Sequence, residues 1–214
     1  MMMALMSFLR WTTGCTFTFN GKKYNYFHHM YHLTFKNERA VEIPIVYEFV
    51  KNCNGQILEV GNTLSYYFKV NHDIVDKYDK GDGVINEDIV DFKPTRKYDL
   101  IVCISTLEHI GRDERGDEKE FDELDKDKPV RAIEKLKSIL SDKGKIMLTF
   151  PLGYNPYLDK MFKEGKISFT RTYYMKRISW DNRWAEKDFE DVRNSRFGQP
   201  YKFANALVIG IIEN

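Results

Sequence analysis

The sequence predicts an α/β fold: a doubly wound, mostly parallel, seven-stranded sheet with a C-terminal antiparallel strand and an N-terminal arm. Three observations favour this fold. Residues 57–60 are mostly apolar and lead into a turn at Gly61. Residues 98–105 form a nearly continuous apolar run, as expected for a strand buried on both faces. Helical and extended segments alternate with short connections, which is typical of a parallel sheet covered by helices on both faces.

The N-terminal arm is predicted to begin with a hairpin and to continue as a helix. Asn20-Gly21 is a strong hairpin turn signal, and residues 15–19 and 23–27 would supply its two strands. Apolar residues recur at every fourth position between residues 37 and 50, which predicts a helix with one buried face. Pro44 either lies near the first turn of this helix or breaks it.

The remaining elements follow in α/β order. Apolar segments predict strands at residues 57–60, 72–75, 84–89, 98–105, 145–150 and 206–212. Residues 64–69 predict a short helix or a turn. A longer helix is expected after residue 128, with Pro129 at its first position and an apolar stripe that reaches Leu140. Asp142-Lys143-Gly144 is predicted to stop that helix.

Composition narrows the class of protein. A chain of 214 residues with 43% hydrophobic residues suits one domain with a real core. The formal charge of +1 provides no long-range field to attract nucleic acid or an anionic membrane. Three widely spaced cysteines match no zinc pattern and no disulfide framework, which indicates a reducing cytoplasm.

The apolar N-terminus and a charged segment in the middle of the chain can each be interpreted from composition. Residues 1–9 are apolar but shorter than the ~20 residues of a membrane helix. They also lack the basic region and cleavage site of a signal peptide. Residues 112–128 are densely charged with both signs, which indicates a solvated loop or helix face, or alternatively a negative lid over an entrance.

The order of several motifs resembles class I S-adenosylmethionine (SAM)-dependent methyltransferases, and the resemblance covers residues 55–153. It depends on these segments in order: Leu58-Glu59-Val60-Gly61, Asp76, Asp88, Tyr98-Asp99-Leu100-Ile101, Leu107-Glu108-His109-Ile110 and Gly144-Lys145-Ile146-Met147-Leu148. Within that superfamily the chain is similar to small members with Glu-Val-Gly-Asn loops and a Pro-Leu-Gly-Tyr-Asn-Pro turn. The resemblance implies a Rossmann-like fold, SAM as cofactor and S-adenosylhomocysteine (SAH) as product.

The loop after the first core strand would hold the methionine end of the cofactor. The resemblance implies that Glu59 orients the α-amino group directly or through water, that Gly61 lets the backbone approach the ligand, and that Asn62 bonds the carboxylate end. The alternative for Glu59 is a helix cap or a pairing with a lysine. Thr63 and Ser65 stand where the family's second and third glycines would be. A ligand without phosphates tolerates that change better than a dinucleotide, whose diphosphate must lie against the backbone.

The acids after the next two strands would hold the nucleoside. A carboxylate at Asp76 can accept both ribose hydroxyls, and Asp79 is a rival for the same role. The resemblance places Asp88, with Ile89 beside it, near the adenine amino group, and Tyr78 could stack on the base. The alternatives are a turn aspartate for Asp88 and an ordinary exposed tyrosine for Tyr78.

The segment from Ser105 to His109 follows the central strand and therefore points into the ligand crevice. Ser105 is assigned to cofactor binding, and His109, with Glu108, to catalysis. His109 could act as a general base on an acceptor hydroxyl or amine. Its alternative is a residue that packs beside the cofactor, because methyl transfer can proceed by in-line positioning alone.

The acceptor is expected to be a small molecule or glycan, methylated at oxygen or nitrogen by in-line displacement, with Tyr154 and Asn155 as its contacts. The single domain would comprise an N-terminal arm (1–50), a cofactor-binding core (55–153) and an acceptor-side segment (154–214). No metal, nucleic acid or membrane partner is expected. The alternative functions are a non-catalytic binding or scaffold protein of this fold and a nicotinamide-dependent oxidoreductase.

Two weaker patterns have structural explanations that we favour. His28, His29 and His32 include a metal-like i, i+4 spacing, but no acid or cysteine partner is evident. Residues 169–184 interleave aromatic and basic side chains, which could bind nucleic acid. Core strands and an acceptor wall are the preferred interpretation.

Overall fold

The computed structural model describes residues 14–112 and 125–214. In this part of the chain the strands are β1 Thr16–Phe19, β2 Lys22–Asn25, β3 Ile57–Val60, β4 Asp73–Val75, β5 Val84–Ile85, β6 Tyr98–Ile104, β7 Leu140–Pro151, β8 Arg171–Arg177, β9 Trp184–Lys187 and β10 Ala206–Glu213. The α-helices are α1 Arg39–Asn52, α2 Lys128–Ser138, α3 Pro156–Lys163 and α4 Phe189–Val192. The interpretations of residues 1–9 and of most of the charged run lie outside the described residues.

Eight strands form one sheet in the order β5-β4-β3-β6-β7-β10-β8-β9. Neighbours from β5 to β7 are parallel, and β10 runs antiparallel to both β7 and β8. The predicted fold class is therefore confirmed: a doubly wound, mostly parallel, Rossmann-like sheet with an antiparallel C-terminal strand. The sheet has eight strands where seven were predicted, and residues 169–184 contribute β8 and the first residue of β9.

Both faces of the sheet are covered, and β6 shows why its sequence is apolar throughout. Leu100, Val102 and Ile104 face the cluster that contains α1. Ile101 and Cys103 point the other way, into the cluster that contains α2 and α3. Alternate side chains of a strand point to opposite faces, so a strand between two helical layers requires apolar residues at every position.

The predicted hairpin and the arm helix are both present. Asn20 and Gly21 have φ values of 47° and 73°, as a two-residue turn between twisted strands requires. Pro44 lies inside α1 without ending it. Because proline has no N–H, the carbonyl of Ala40 lacks its helical donor, and the N–H of Phe27 donates to it instead at 2.9 Å. The proline therefore leaves the Ala40 carbonyl free to bind the segment that follows β2.

Several element boundaries differ from the predictions. Helix α2 ends at Ser138 rather than at residues 142–144, because β7 begins at Leu140. The predicted strand at 84–89 contains only β5, so Asp88 lies in the turn that follows it. In the aromatic and basic segment, Arg177 and Trp184 are buried, which removes them from any nucleic-acid surface. Within the described residues, no helix has the length and apolar character needed to cross a bilayer.

Candidate active site

A half-open cleft of about 390 Å³ lies at the carboxyl ends of β3, β4, β5 and β6. Open α/β sheets bind ligands at this edge, and the size falls within the ~300–1,000 Å³ typical of small-ligand sites. Its lining includes these predicted residues: Gly61, Asn62, Asp76, Tyr78, Asp88, Ile89, Ser105 and His109. The predicted residues outside its lining are Glu59, Glu108, Tyr154 and Asn155.

Gly61 is the residue at which β3 turns into the floor of the cleft. Its φ is +81°, and a Cβ at this position would lie 2.1 Å from Oγ1 of Thr106. Its N–H donates to the carbonyl of Val75 at 2.9 Å, which ties the loop to β4. Both the backbone conformation and the approach to the loop after β6 therefore require glycine.

Glu59 holds the same loop from inside the protein. Its side chain is fully buried, and Oε1 accepts hydrogen bonds from the N–H groups of Thr63 (2.8 Å) and Leu64 (2.7 Å). Its Oε2 is hydrogen-bonded to Nε2 of His72 at 2.8 Å. Its carboxylate thus holds the helical turn Leu64–Tyr66, as the alternative interpretation of a helix cap expects, and its role in orienting a ligand amine, directly or through water, stays a prediction.

Asn62 joins the two acids that compete for the ribose. Its backbone N–H donates to Oδ2 of Asp76 at 2.9 Å, and its Nδ2 donates to Oδ2 of Asp79 at 2.8 Å. The Oδ1 of Asp76 accepts from the N–H groups of Tyr78 and Asp79, both at 2.8 Å. Asp79 also accepts from Gly81 N–H and from the Tyr66 hydroxyl. The Tyr66 hydroxyl is the main reason that the pKa of Asp79 is lowered.

The Asp88 carboxylate forms ion pairs with two lysines. Its Oδ2 lies 2.6 Å from Nζ of Lys128 and 3.5 Å from Nζ of Lys77. Burial opposes ionisation of this carboxyl, but the hydrogen bond from Lys128 and the nearby charges hold its pKa below the usual range. The two lysines therefore hold one oxygen of Asp88, and the expected contact with an adenine amino group stays a prediction.

His109 and Glu108 follow β6 but have different environments. The His109 side chain is 41% exposed, lines the cleft, and packs edge-on against the Tyr154 ring at 5.0 Å. Glu108 is 2% exposed, and its Oε2 has no hydrogen-bond partner. Burial raises the pKa of Glu108 to about 8, with His109 opposing the rise. Glu108 is therefore mostly protonated at neutral pH.

Asn155 is a helix cap and not a wall of the cleft. It is 3% exposed, and its Oδ1 accepts from the N–H groups of Tyr157 (3.0 Å) and Leu158 (3.2 Å) at the start of α3. Its Nδ2 donates to the carbonyl of Glu108 at 2.9 Å. The expected acceptor contact at Asn155 is thus corrected to a structural role that joins α3 to the loop after β6.

Two groups of cleft residues were missed by sequence reasoning. Arg39, on α1, lines the cleft beside Ser105, and Glu42 accepts hydrogen bonds from Arg39, Ser105 and Thr149. On the opposite wall, Tyr31 stacks on Tyr66 with ring centroids 4.7 Å apart. The Arg39–Glu42 spacing resembles an ordinary surface ion pair, so only the packing of α1 distinguishes it. No sequence signal indicated the Tyr31–Tyr66 stack.

The three arm histidines do not converge. His28 stacks on Phe35, His29 accepts a hydrogen bond from the N–H of Tyr31, and His32 stacks on Tyr31. Across residues 14–112 and 125–214, no group of three or more His, Cys, Asp or Glu side chains is arranged to hold a metal ion.

Comparison with solved structures finds SAM-dependent methyltransferases. N-methyltransferase NodS from Bradyrhizobium japonicum WM9, in complex with SAH, is 12% identical, with 83% of this chain and 87% of that chain covered and a TM-score of 0.47. A TehB-like methyltransferase from Corynebacterium glutamicum is 15% identical, with coverages of 79% and 86% and a TM-score of 0.45. A methyltransferase from Clostridium acetobutylicum is 12% identical, with coverages of 79% and 89% and a TM-score of 0.40.

The fold of this chain is established by its own strand order. No protein-family model matches the sequence, and comparison with curated proteins finds no relative.

Proposed function

We propose that the protein is a SAM-dependent methyltransferase and that the cleft binds SAM and SAH. The observation that carries the proposal is the loop after β3. The N–H groups of Thr63 and Leu64, at the end of this loop, already donate to the buried carboxylate of Glu59. A diphosphate needs such N–H groups and is repelled by a carboxylate behind them. The loop therefore suits a nucleoside ligand without phosphates, which disfavours the nicotinamide alternative.

The acids of the cleft support a ribose site shared between two residues. A carboxylate has about four acceptor positions. Asp76 uses three for the N–H groups of Asn62, Tyr78 and Asp79, and Asp79 uses three for Asn62, Gly81 and Tyr66. About one position remains on each. In this proposal, one ribose hydroxyl donates to each carboxylate, and Ile89 and Tyr78 contact the adenine.

The chemistry that SAM supplies when bound is an electrophilic methyl group on a sulfonium. The protein must then align an acceptor and remove its proton. His109 is positioned for the second task, because it is partly exposed in the cleft and its ring is held by Tyr154. We propose that His109 accepts the proton from an acceptor hydroxyl or amine. Glu108, buried and mostly protonated, does not supply a second base at neutral pH.

The proposed acceptor is a small molecule or glycan that lies against His109 and Tyr154. We assign residues 24–42 of the arm and the segment after Pro151 to covering the cofactor and shaping the acceptor pocket. Tyr31 and Arg39 support this assignment, because both residues line the cleft.

The test begins with binding. Isothermal titration with SAM, SAH and NAD should give affinity for the first two only, and no SAM or SAH binding at millimolar concentration would refute the proposal. Transfer of a labelled methyl group from SAM to a metabolite extract then identifies the acceptor. The His109→Gln variant should bind SAH normally but transfer about 10²- to 10⁴-fold more slowly. Binding without transfer to any fraction would favour the non-catalytic alternative.

A further inference from the structure

Arg39 is a nearly buried cation on the inner wall of the cleft. Its side chain is 17% exposed. Its Nη1 donates to Oε2 of Glu42 at 3.0 Å and to the carbonyl of Ile104 at 3.1 Å. Among the described residues, its Nε and Nη2 have no hydrogen-bond acceptor. Those two nitrogens form one edge of the guanidinium, which is the edge that binds a carboxylate with two parallel hydrogen bonds.

The position of this guanidinium is fixed by the core. Glu42 is fully buried and accepts from the hydroxyls of Ser105 (2.5 Å) and Thr149 (2.6 Å). The same carboxylate therefore fastens Arg39 to the carboxyl ends of β6 and β7. Burial opposes the charge of Arg39, but Glu42, Glu38 and Glu108 raise its pKa above the usual range. The group is a charged donor held in place before any ligand arrives.

The strand order orients the proposed ligand toward Arg39. Ile89 follows β5, Asp76 follows β4, Gly61 follows β3, and Ser105 follows β6, which are neighbours in that order. A ligand with adenine at Ile89 and ribose at Asp76 must extend its amino-acid end past Gly61 toward β6. Arg39 bonds the last residue of that strand, Ile104.

We propose that Arg39 binds the carboxylate of the amino-acid end of SAM and SAH through its Nε and Nη2 groups. This inference rests on the proposed function. It also assigns a role to the arm: the helix that carries Arg39 completes the cofactor site. A lysine cannot replace the paired geometry, since its ammonium is a point charge.

The decisive measurement compares SAH with decarboxylated SAH, which lacks only the carboxylate. By isothermal titration, the wild-type protein should bind SAH about 10- to 100-fold more tightly than decarboxylated SAH, as expected for a charged hydrogen-bonded pair. The Arg39→Gln variant should bind SAH about 10- to 100-fold more weakly, with its affinity for decarboxylated SAH unchanged. The SAH affinity of Arg39→Lys should lie between those of the wild type and Arg39→Gln. Arg96→Gln, a control that removes a guanidinium outside the cleft lining, should bind both ligands like the wild type.

Other outcomes overturn the inference. Equal wild-type affinities for the two ligands would show that no group binds the carboxylate. An equal loss for both ligands in a folded Arg39→Gln variant would show a structural role only. If that variant does not fold, the wild-type comparison and Arg39→Lys decide. Normal SAH affinity with a raised KM for the acceptor would assign Arg39 to the acceptor. If the wild type binds neither ligand, the proposed function itself fails.

Discussion

The Glu59 carboxylate and the His72 imidazole are hydrogen-bonded in the protein interior, with Oε2 and Nε2 2.8 Å apart. The other oxygen of Glu59 accepts from the two N–H groups that open the turn Leu64–Tyr66. One buried acid thus joins the loop under the cleft to the segment before β4. This arrangement gives Glu59 a supporting role beneath the site.

Replacing Glu59 by alanine should destabilise the protein by about 1–3 kcal/mol or more, because two backbone N–H groups and His72 lose their partner. Glu59→Gln should cost less, since its amide oxygen can still accept from Thr63 and Leu64. Urea denaturation of both variants measures the difference. Unchanged stability of Glu59→Ala together with lost SAH affinity would return Glu59 to a direct contact.

The loop also makes a prediction at Gly61. Gly61→Ala should lose most SAH affinity and some stability, since φ is +81° and the added Cβ would meet Oγ1 of Thr106 at 2.1 Å. A non-glycine residue in this conformation costs about 1–3 kcal/mol by itself. Thermal denaturation and SAH titration measure both effects.

Gly83 provides the matched control for this substitution. Its φ is +79°, and an added Cβ would meet no atom within 4 Å. Gly83→Ala therefore carries the backbone cost without the collision. If Gly61→Ala is no more damaging than Gly83→Ala, the close approach of Thr106 has no energetic importance.

The shared ribose site predicts similar losses at two acids. Asp76→Asn and Asp79→Asn should each weaken SAH binding by about 10-fold or more, because each removes an acceptor for one hydroxyl. Tyr66→Phe is the control: it removes the hydroxyl that bonds Asp79 and leaves both carboxylates, so affinity should be retained. Titration with SAH gives all three values. A loss at Asp76 alone would assign the diol to that residue.

Glu108 predicts a dependence of stability on pH. Its folded pKa of about 8 lies above the ordinary 4.5, so between these values the folded protein holds a proton that the unfolded chain has lost. Its contribution is fully present below about pH 4.5 and declines as the pH rises to about 8, by up to about 1.4 kcal/mol per pH unit. Unfolding by urea from pH 5 to 8 should show this slope.

The Glu108→Gln variant cannot ionise and should lack that part of the slope. The two proteins are compared by how their unfolding free energy changes with pH. A constant difference in stability, caused by how well the Gln amide packs, therefore does not affect the result. The same slope in both proteins would show that the carboxyl is already ionised at neutral pH.

The sequence determined the strand and helix order because hydrophobic periodicity and turn residues are local. Asn20-Gly21 set the hairpin, and the apolar run at residues 98–105 identified the central strand. The cleft could also be located, since the loops after parallel strands meet at one edge of the sheet. Gly61, Asp76, Ser105 and His109 were therefore predicted to lie together, and the structure brings them together.

Only the tertiary structure decided what each polar side chain binds. Glu59 and Asn155 have the residue types of ligand contacts, yet each satisfies backbone N–H groups. Arg39 and Glu42 have the spacing of a surface ion pair, yet α1 buries their charges against β6 and β7. Hydrogen-bond partners distant in sequence are fixed by packing, which local patterns do not encode. The packing therefore leaves Glu59 and Asn155 outside the cleft lining and places the guanidinium of Arg39 within it.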